Sequence, residues 1–314
     1  MASLRQMLFS LAILPASLVA CGGGDDGVEP PSGPHTGYVV DSVSVPDDKP
    51  FDLDDNGVKD NALGQVLGIL SGQGFDVQGS LDEAVAQGTI ILLYDLQTPD
   101  FTTAAGAGLS ILLGDNPTPA ACTDAADVIC GHHLEGDATF DVAANSPTDA
   151  GVDGKIAGGV FNGGPGNFTL QIALAGSNPI SLDLIGARAK ATGITADGIG
   201  EVLLAGAISE DQLNGEVLPA IHAQLGPIID EDCDAAAGPP ECGCVADSTG
   251  STIISFFDDD ADCGVTLDEI KNNGLIQSVL SPDVTIDGVD ALSLTVSTTA
   301  VGATFPGIDA KPRR

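Results

Sequence analysis

Apolar and polar residues alternate with period two through much of the chain, a spacing that predicts half-buried strands. Leu170, Ile172 and Leu174 alternate with Thr169, Gln171 and Ala173; Ile180, Leu182 and Leu184 alternate with Ser181 and Asp183; Leu292, Leu294 and Val296 alternate with Ser293, Thr295 and Ser297. This spacing begins at Tyr38. Asn162-Gly163-Gly164-Pro165-Gly166-Asn167 and Gly176-Ser177-Asn178-Pro179 read as turns between strands, since they supply residues that accept positive φ or preset it. The run from Thr89 to Leu93 is apolar toward both faces and predicts a strand covered on each side. Several short strands at such intervals predict a mainly β fold, an antiparallel β-sandwich-like domain with a few short helices.

The helices carry explicit start signals. Ser80-Leu81-Asp82-Glu83 is a capping box with Gly88 as the stop, and Ser209-Glu210-Asp211-Gln212 opens a stretch with Leu213, Val217, Ile221 and Leu225 on one face. Gly226-Pro227 should end this second helix. Pro219 inside it should kink or break it, because an interior proline removes a backbone hydrogen bond.

The first twenty residues follow a different rule. Arg5 precedes an apolar run from Met7 to Ala20, and Leu18-Val19-Ala20-Cys21 has the lipobox arrangement cut just before its cysteine in bacterial lipoproteins. The run is shorter than the roughly 20 apolar residues a spanning helix needs. Residues 1–20 are therefore expected to be a signal peptide, Cys21 the lipidated first residue of the mature chain, and 21–35 a flexible Gly/Asp/Pro-rich tether. Residues 36–314 would then form the β-rich domain.

Setting Cys21 aside leaves Cys122, Cys130, Cys233, Cys242, Cys244 and Cys263, an even set in a chain expected to be exported, which points to three disulfides. Cys122 is expected to pair with Cys130 across a short polar loop. Cys242 and Cys244 should reach different partners among Cys233 and Cys263. Zinc is a weak rival at Cys242-Gly243-Cys244, whose spacing is not that of a zinc knuckle.

Charge narrows the partners. With 45 acidic against 10 basic side chains the formal net charge is −35, which disfavours nucleic acid and anionic membrane surfaces; membrane association would rest on the lipid at Cys21. The 43% hydrophobic content supplies a core, so self-repulsion acts on a folded chain that bound cations would help.

The acids concentrate in loops. The strongest, from Asp258 to Glu269, resembles an EF-hand: its positions 1, 3, 5, 7, 9 and 12 are Asp258, Asp260, Asp262, Gly264, Thr266 and Glu269. Ile254 and Phe257 supply an entering apolar face, while Leu267, Ile270, Leu275 and Ile276 supply an exiting helix, so residues 250–280 form an EF-hand-like helix-loop-helix after the Cys-rich loop 230–249. Thr266 and Glu269 also make a capping box. The departure is Cys263 at position 6, where the family has glycine; a left-handed backbone there costs about 1 to 2 kcal/mol, and a disulfide at Cys263 would offset it.

A second loop, Asp52-Leu53-Asp54-Asp55-Asn56-Gly57-Val58-Lys59-Asp60, has glycine at position 6 but Leu63 at position 12. It resembles isolated calcium loops entered from a strand, with Asp52, Asp54, Asn56, the Val58 carbonyl and Asp60 as ligands and a short helix through Leu63, Val66, Leu67 and Leu70 behind it. A third segment, Asp283 to Asp290, echoes the second, but Thr285 replaces an acid and Asp290 falls one residue early, so a turn between strands competes with a metal site.

Catalytic signatures are sparse. No G-x-S-x-G, H-E-x-x-H or phosphate-binding glycine loop occurs. His132 and His133 read as surface residues beside the Cys122 to Cys130 staple. Paired carboxylates for glycoside hydrolysis carry no weight among 45 acids. Without tryptophan and with only Tyr38 and Tyr94, sugar stacking is disfavoured, although calcium-mediated glycan binding stays open.

The lipobox, the Gly-Asp tether, the D-x-D-x-N-G-x-x-D-N-x-L-G segment, the glycine-rich strands and the cysteine-bearing EF-hand-like loop together resemble uncharacterised lipoproteins of myxobacteria and their relatives. The resemblance spans most of the mature chain and implies no activity. Gly22 after the lipid cysteine is similar to lipoproteins sent on to the outer membrane. The expectation is an exported, lipid-anchored protein of the outer membrane or cell surface that holds calcium as structure and acts through its surface on a protein or glycan partner. The alternatives are a calcium-dependent glycan-binding module or a hydrolase.

Overall fold

The period-two segments form strands in the computed structural model, which describes residues 28–71, 77–123, 129–147, 150–172, 180–240 and 242–306. Ten strands occur among them: β1 (His35–Ser44), β2 (Leu92–Gln97), β3 (Thr103–Thr118), β4 (Thr139–Val142), β5 (Gly151–Ala157), β6 (Val160–Ile172), β7 (Ile180–Ile194), β8 (Gly198–Ser209), β9 (Val284–Ile286) and β10 (Val289–Gly302). In the order β1, β2, β3, β5, β6, β7, β8, β10, eight of them pair antiparallel, and β10 pairs back to β1. This closed barrel replaces the expected sandwich. Alternation along a strand reports which face is buried, and a barrel and a sandwich bury a face alike. Register shifts at Val40/Ser42, Ala104/Ala107, Ile185/Arg188 and Thr298/Ala300 mark the irregularities that coil a sheet toward closure.

The glycine-rich stretch from Asn162 to Asn167 is a second correction. It lies inside β6, with register shifts on both sides of Gly166, while the β5–β6 turn is made by Gly158 and Gly159 at φ 60° and 77°. Close approach explains the glycines: a Cβ on Gly166 would stand 2.6 Å from the Gly151 carbonyl oxygen of β5. The other predicted turn, Gly176 to Pro179, falls outside the described residues, as do Ile172's and Ile180's side chains.

Inward side chains fill the barrel. Val40, Tyr94, Leu109, Ile111, Phe161, Phe168, Leu184, Val202, Leu204 and Leu294 form one apolar core. Both tyrosines lie inside it rather than on a recognition surface: the Tyr38 hydroxyl donates to the Thr195 carbonyl at 2.7 Å, and the Tyr94 hydroxyl bonds the Thr298 hydroxyl at 2.8 Å. Burial pushes both phenols well above their ordinary range. The core continues into two helices, α1 (Ala62–Ser71) through Leu63 and α2 (Val77–Ala86) through Leu81, Ala84 and Val85. Ser80 is thus already within α2 rather than at its start, while Gly88, at φ 69°, follows its end as predicted.

Parts of the outer face are covered too. Ile91 and Leu93 lie beneath Ala138, Phe140 and Phe305 while Ile90 and Leu92 face the barrel core, so Ile90 to Leu93 is buried toward both sides, although Thr89 is exposed and the strand begins only at Leu92. On β8 and β10 Ala205, Ala207 and Ala291 are covered by Leu53, Val284 and Ile286.

Between β8 and β9 the chain forms a helical lobe: α3 (Glu210–Gln212), a π-helical turn (Leu213–Val217), α4 (Leu218–Asp232), α5 (Thr249–Phe257), α6 (Leu267–Asn272) and α7 (Gly274–Val279). Ser209 caps the start through the Gln212 N–H, as expected. Pro219 falls in the first turn of α4, where its missing N–H is harmless, because the π turn has reset the hydrogen-bond ladder. Gly226-Pro227 does not end the helix, which runs on to Asp232. Ala223 and Pro227 are exposed, so water can serve the freed carbonyl, while Leu225 and Ile229 pack with Ile253 and Ile254 in the lobe's own core. Ile221 and Leu280 touch both the lobe core and the barrel core.

Candidate metal loops

The two stronger acidic loops fold alike over positions 1 to 7. In the first, Asp52 accepts from the N–H groups of Asn56 and Gly57 at 3.1 and 2.8 Å, and the Asn56 side-chain oxygen accepts from the Val58 N–H at 2.7 Å. In the second, Asp258 accepts from the N–H groups of Asp262 and Cys263 at 3.0 and 2.9 Å, and Asp262 accepts from the Gly264 N–H at 2.8 Å. Positions 4 and 6 are left-handed in both: Asp55 and Gly57 at φ 57° and 87°, Ala261 and Cys263 at 57° and 70°. Aspartate at position 1 thereby folds each turn over itself, and the acids at positions 1 and 3 converge with a third. Carboxylate oxygens of Asp52, Asp54 and Asp60 lie within 4.8 Å of one another, as do those of Asp258, Asp260 and Asp262. Such all-oxygen donor sets fit a hard divalent cation.

The third acid differs between the loops. Asp60 is only 4% exposed, its backbone N–H donates to the Phe51 carbonyl, and its Oδ2 accepts from the Leu53 N–H at 2.8 Å. Burial raises its pKa, the Leu53 N–H opposes this, and the carboxylates of Asp54, Asp283 and Asp52 add to the rise. Asp260 is exposed; local desolvation and then Asp262, Glu269 and Asp258 push it up. Glu269, the position-12 acid, stands outside the three converging acids. Its Oε1 accepts from the Asp259 N–H at 3.0 Å, and its Oε2 from the Thr266 N–H and hydroxyl at 2.7 and 2.9 Å, completing the expected capping box. Desolvation works against its ionisation, but these donors prevail and its pKa is lowered.

The flanks are partly as expected. Helix α5 enters the Asp258 loop and α6 leaves it, but the exit stops at Asn273, whose side chain caps α7 through Leu275 and Ile276, leaving Leu275 exposed. The first loop is entered from β1 and left through α1, whose Leu63 packs on the barrel. Val58 points its side chain to solvent, and Arg188 of β7 reaches exposed Asp55 at 2.8 Å.

The third segment is the β9–β10 turn, with Asp287 and Gly288 left-handed and the Thr285 hydroxyl donating to Asp290. Asp283 is taken up structurally: it accepts from the Ser293 N–H and hydroxyl, and the Ser293 hydroxyl in turn accepts from the Ala62 N–H at 2.7 Å. Asn61, fully buried, was missed by the sequence reading. It donates to the Pro46 and Asp48 carbonyls and accepts from the N–H groups of Gly64 and Thr295, seating the first loop on β10. Its signal was available as an asparagine immediately before an apolar helical run.

All six cysteines pair, as Cys122–Cys130, Cys233–Cys244 and Cys242–Cys263. The last tether holds position 6 of the second loop, as its strained backbone required. Three disulfides suit an oxidising compartment. Cys21 and the signal segment lie outside the described residues, and no described helix is long and apolar enough to cross a membrane. His133 is wholly buried, which corrects its reading as a surface residue. No protein-family model matches the chain, and no curated protein or solved structure is significantly similar to it.

Proposed function

We propose that this is an exported, lipid-anchored barrel protein that holds calcium in its two acidic loops as structural ions and acts through its surface. The observation that carries the reading is the shared loop frame: two separate stretches form the same Asx-bonded turn, and in each the acids at positions 1 and 3 converge with a third carboxylate, Asp60 in one and Asp262 in the other. Each loop is wired to a core. Leu53 of the first joins an apolar cluster on the barrel wall, and Cys263 of the second is in the core of the helical lobe. An ion that cancels the mutual repulsion of the acids would therefore stabilise the packing beneath them. Extracellular calcium modules bind at roughly 10^-4 to 10^-3 M, which suits permanent filling outside the cell.

Thermal unfolding of the oxidised mature chain tests this, in chelator and through a calcium titration with magnesium and ionic-strength-matched sodium chloride as controls. A calcium-selective rise in Tm is expected, since ligand at about 100 times its Kd adds roughly 2.7 kcal/mol. Equal responses to calcium and to salt would reduce the loops to acidic turns that respond only to screening.

A further inference from the structure

His133 is a buried ionisable group that the calcium reading does not use. It sits on a 3-10 turn (His132–Leu134), is 0% exposed, and neither ring nitrogen has a hydrogen-bond partner among the described residues. Phe140 meets the ring edge-on at 6.1 Å between centroids, and a side chain built on Gly88 would stand 3.7 Å from Nε2. Among the described residues, none of the charged groups on the surrounding elements bonds to it. Glu135, Asp137, Asp141 of β4, Asp115 of β3 and Glu83 of α2 are exposed, Asp41 of β1 accepts from the Thr299 hydroxyl, and the covering segment 303–305 has no charge. Burial, and after it His132 on the same turn acting through space, holds the ring below its ordinary value of 6.5.

The turn belongs to a cover over apolar barrel wall. Gly131 and His132 donate their N–H groups to the Ala121 carbonyl beside the Cys122–Cys130 disulfide; Phe140 and Thr304 tie β4 to the C-terminal segment; and Leu134, Ala138, Phe140 and Phe305 lie over Val39, Ile91 and Leu93. We infer that His133 makes the segment from Gly131 to Val142 an acid-released cover: the ring must be neutral for the cover to seat, and protonation frees the apolar strip of β1 and β2 beneath. The opening takes up one proton. Seating is complete above pH 6.5, where the solvated ring is neutral, and is lost as pH falls below it; with one proton involved, the opening constant rises at most about tenfold per pH unit, until the ring's own lower pKa in the closed form is reached.

Amide exchange of the full mature oxidised protein, in calcium, tests this between pH 7.5 and 5 after correction for intrinsic rates. Protection in 131–142 should fall across that window in the wild type and stay level in His133→Leu and His133→Phe, while the strands of β7 and β8 keep theirs throughout. Titration of the His133 ring by NMR in the wild type stands apart from whether the variants fold. A ring that titrates at or above 6.5, or variants that keep the acid-dependent loss, would overturn the inference; a ring that stays neutral until the cover exchanges would support it.

Discussion

Single carboxylates in the loops have distinct tasks. Glu269 stands at position 12 but is spent on the Thr266 cap and the Asp259 N–H, so an incoming cation must draw it from those donors. Glu269→Gln should weaken calcium binding far more than Asp268→Asn, whose side chain is exposed beside it; titration calorimetry showing equal losses would remove Glu269 from the ligand set. Asp60 gives a test of opposite sign in the two states. Its raised pKa means the folded chain binds this proton more tightly than the unfolded chain, so stability is lost as pH rises from 3.8 through the elevated value, and ionised Asp60 is a burden at neutral pH without a cation. Asp60→Asn should therefore raise Tm in chelator yet shrink the calcium-induced rise; a fall in Tm in both media would assign Asp60 a purely structural role. The residue types and spacing of both loops were legible in sequence because an Asx-bonded turn is local. The burial of His133 was not, because the Phe140 ring against it comes from another element.

Among elements, α4 shows how far local rules reach. Both prolines were visible, and the rule that proline disfavours helix interiors marked an irregularity at Pro219, met by a π turn without a break, but wrongly ended the helix at Pro227. Packing decided the second case: Leu225 and Ile229 straddle the proline and both bury against α5. Pro227→Ala should raise the thermal stability of the lobe by about 1–3 kcal/mol by restoring an interior hydrogen bond, whereas Pro219→Ala, in a first turn, should change it by about 0.5 kcal/mol or less. If both were neutral in calorimetry, the backbone at Pro227 would have to be already relaxed by its bend. The stretch from Asn162 to Asn167 carries the same lesson for strands. Glycine and proline mark a departure from regular backbone, but whether the departure is a turn or an irregularity within a strand depends on the partner strand that reaches it.

For the whole molecule, closure is the decisive fact. Strand β10 holds β1 on one side and β8 on the other, so the barrel is complete only when the two ends of the described chain meet. Deleting residues 289–314 should abolish cooperative thermal unfolding, since β1 and β8 would each lose a full ladder; a truncated chain that still melts in one sharp transition would show that those edges can pair directly. Sequence by itself determined the strand-rich class, the two acidic turns, the Cys122–Cys130 staple and the need for a disulfide at Cys263, because each rests on residues close in the chain or on a local backbone requirement. Tertiary structure alone decided that the sheet closes rather than splits into two layers, that Asp283 accepts from Ser293, and that Asn61 and His133 are buried. Those outcomes depend on which distant strands become neighbours, and period-two alternation is the same whichever neighbours a strand finds.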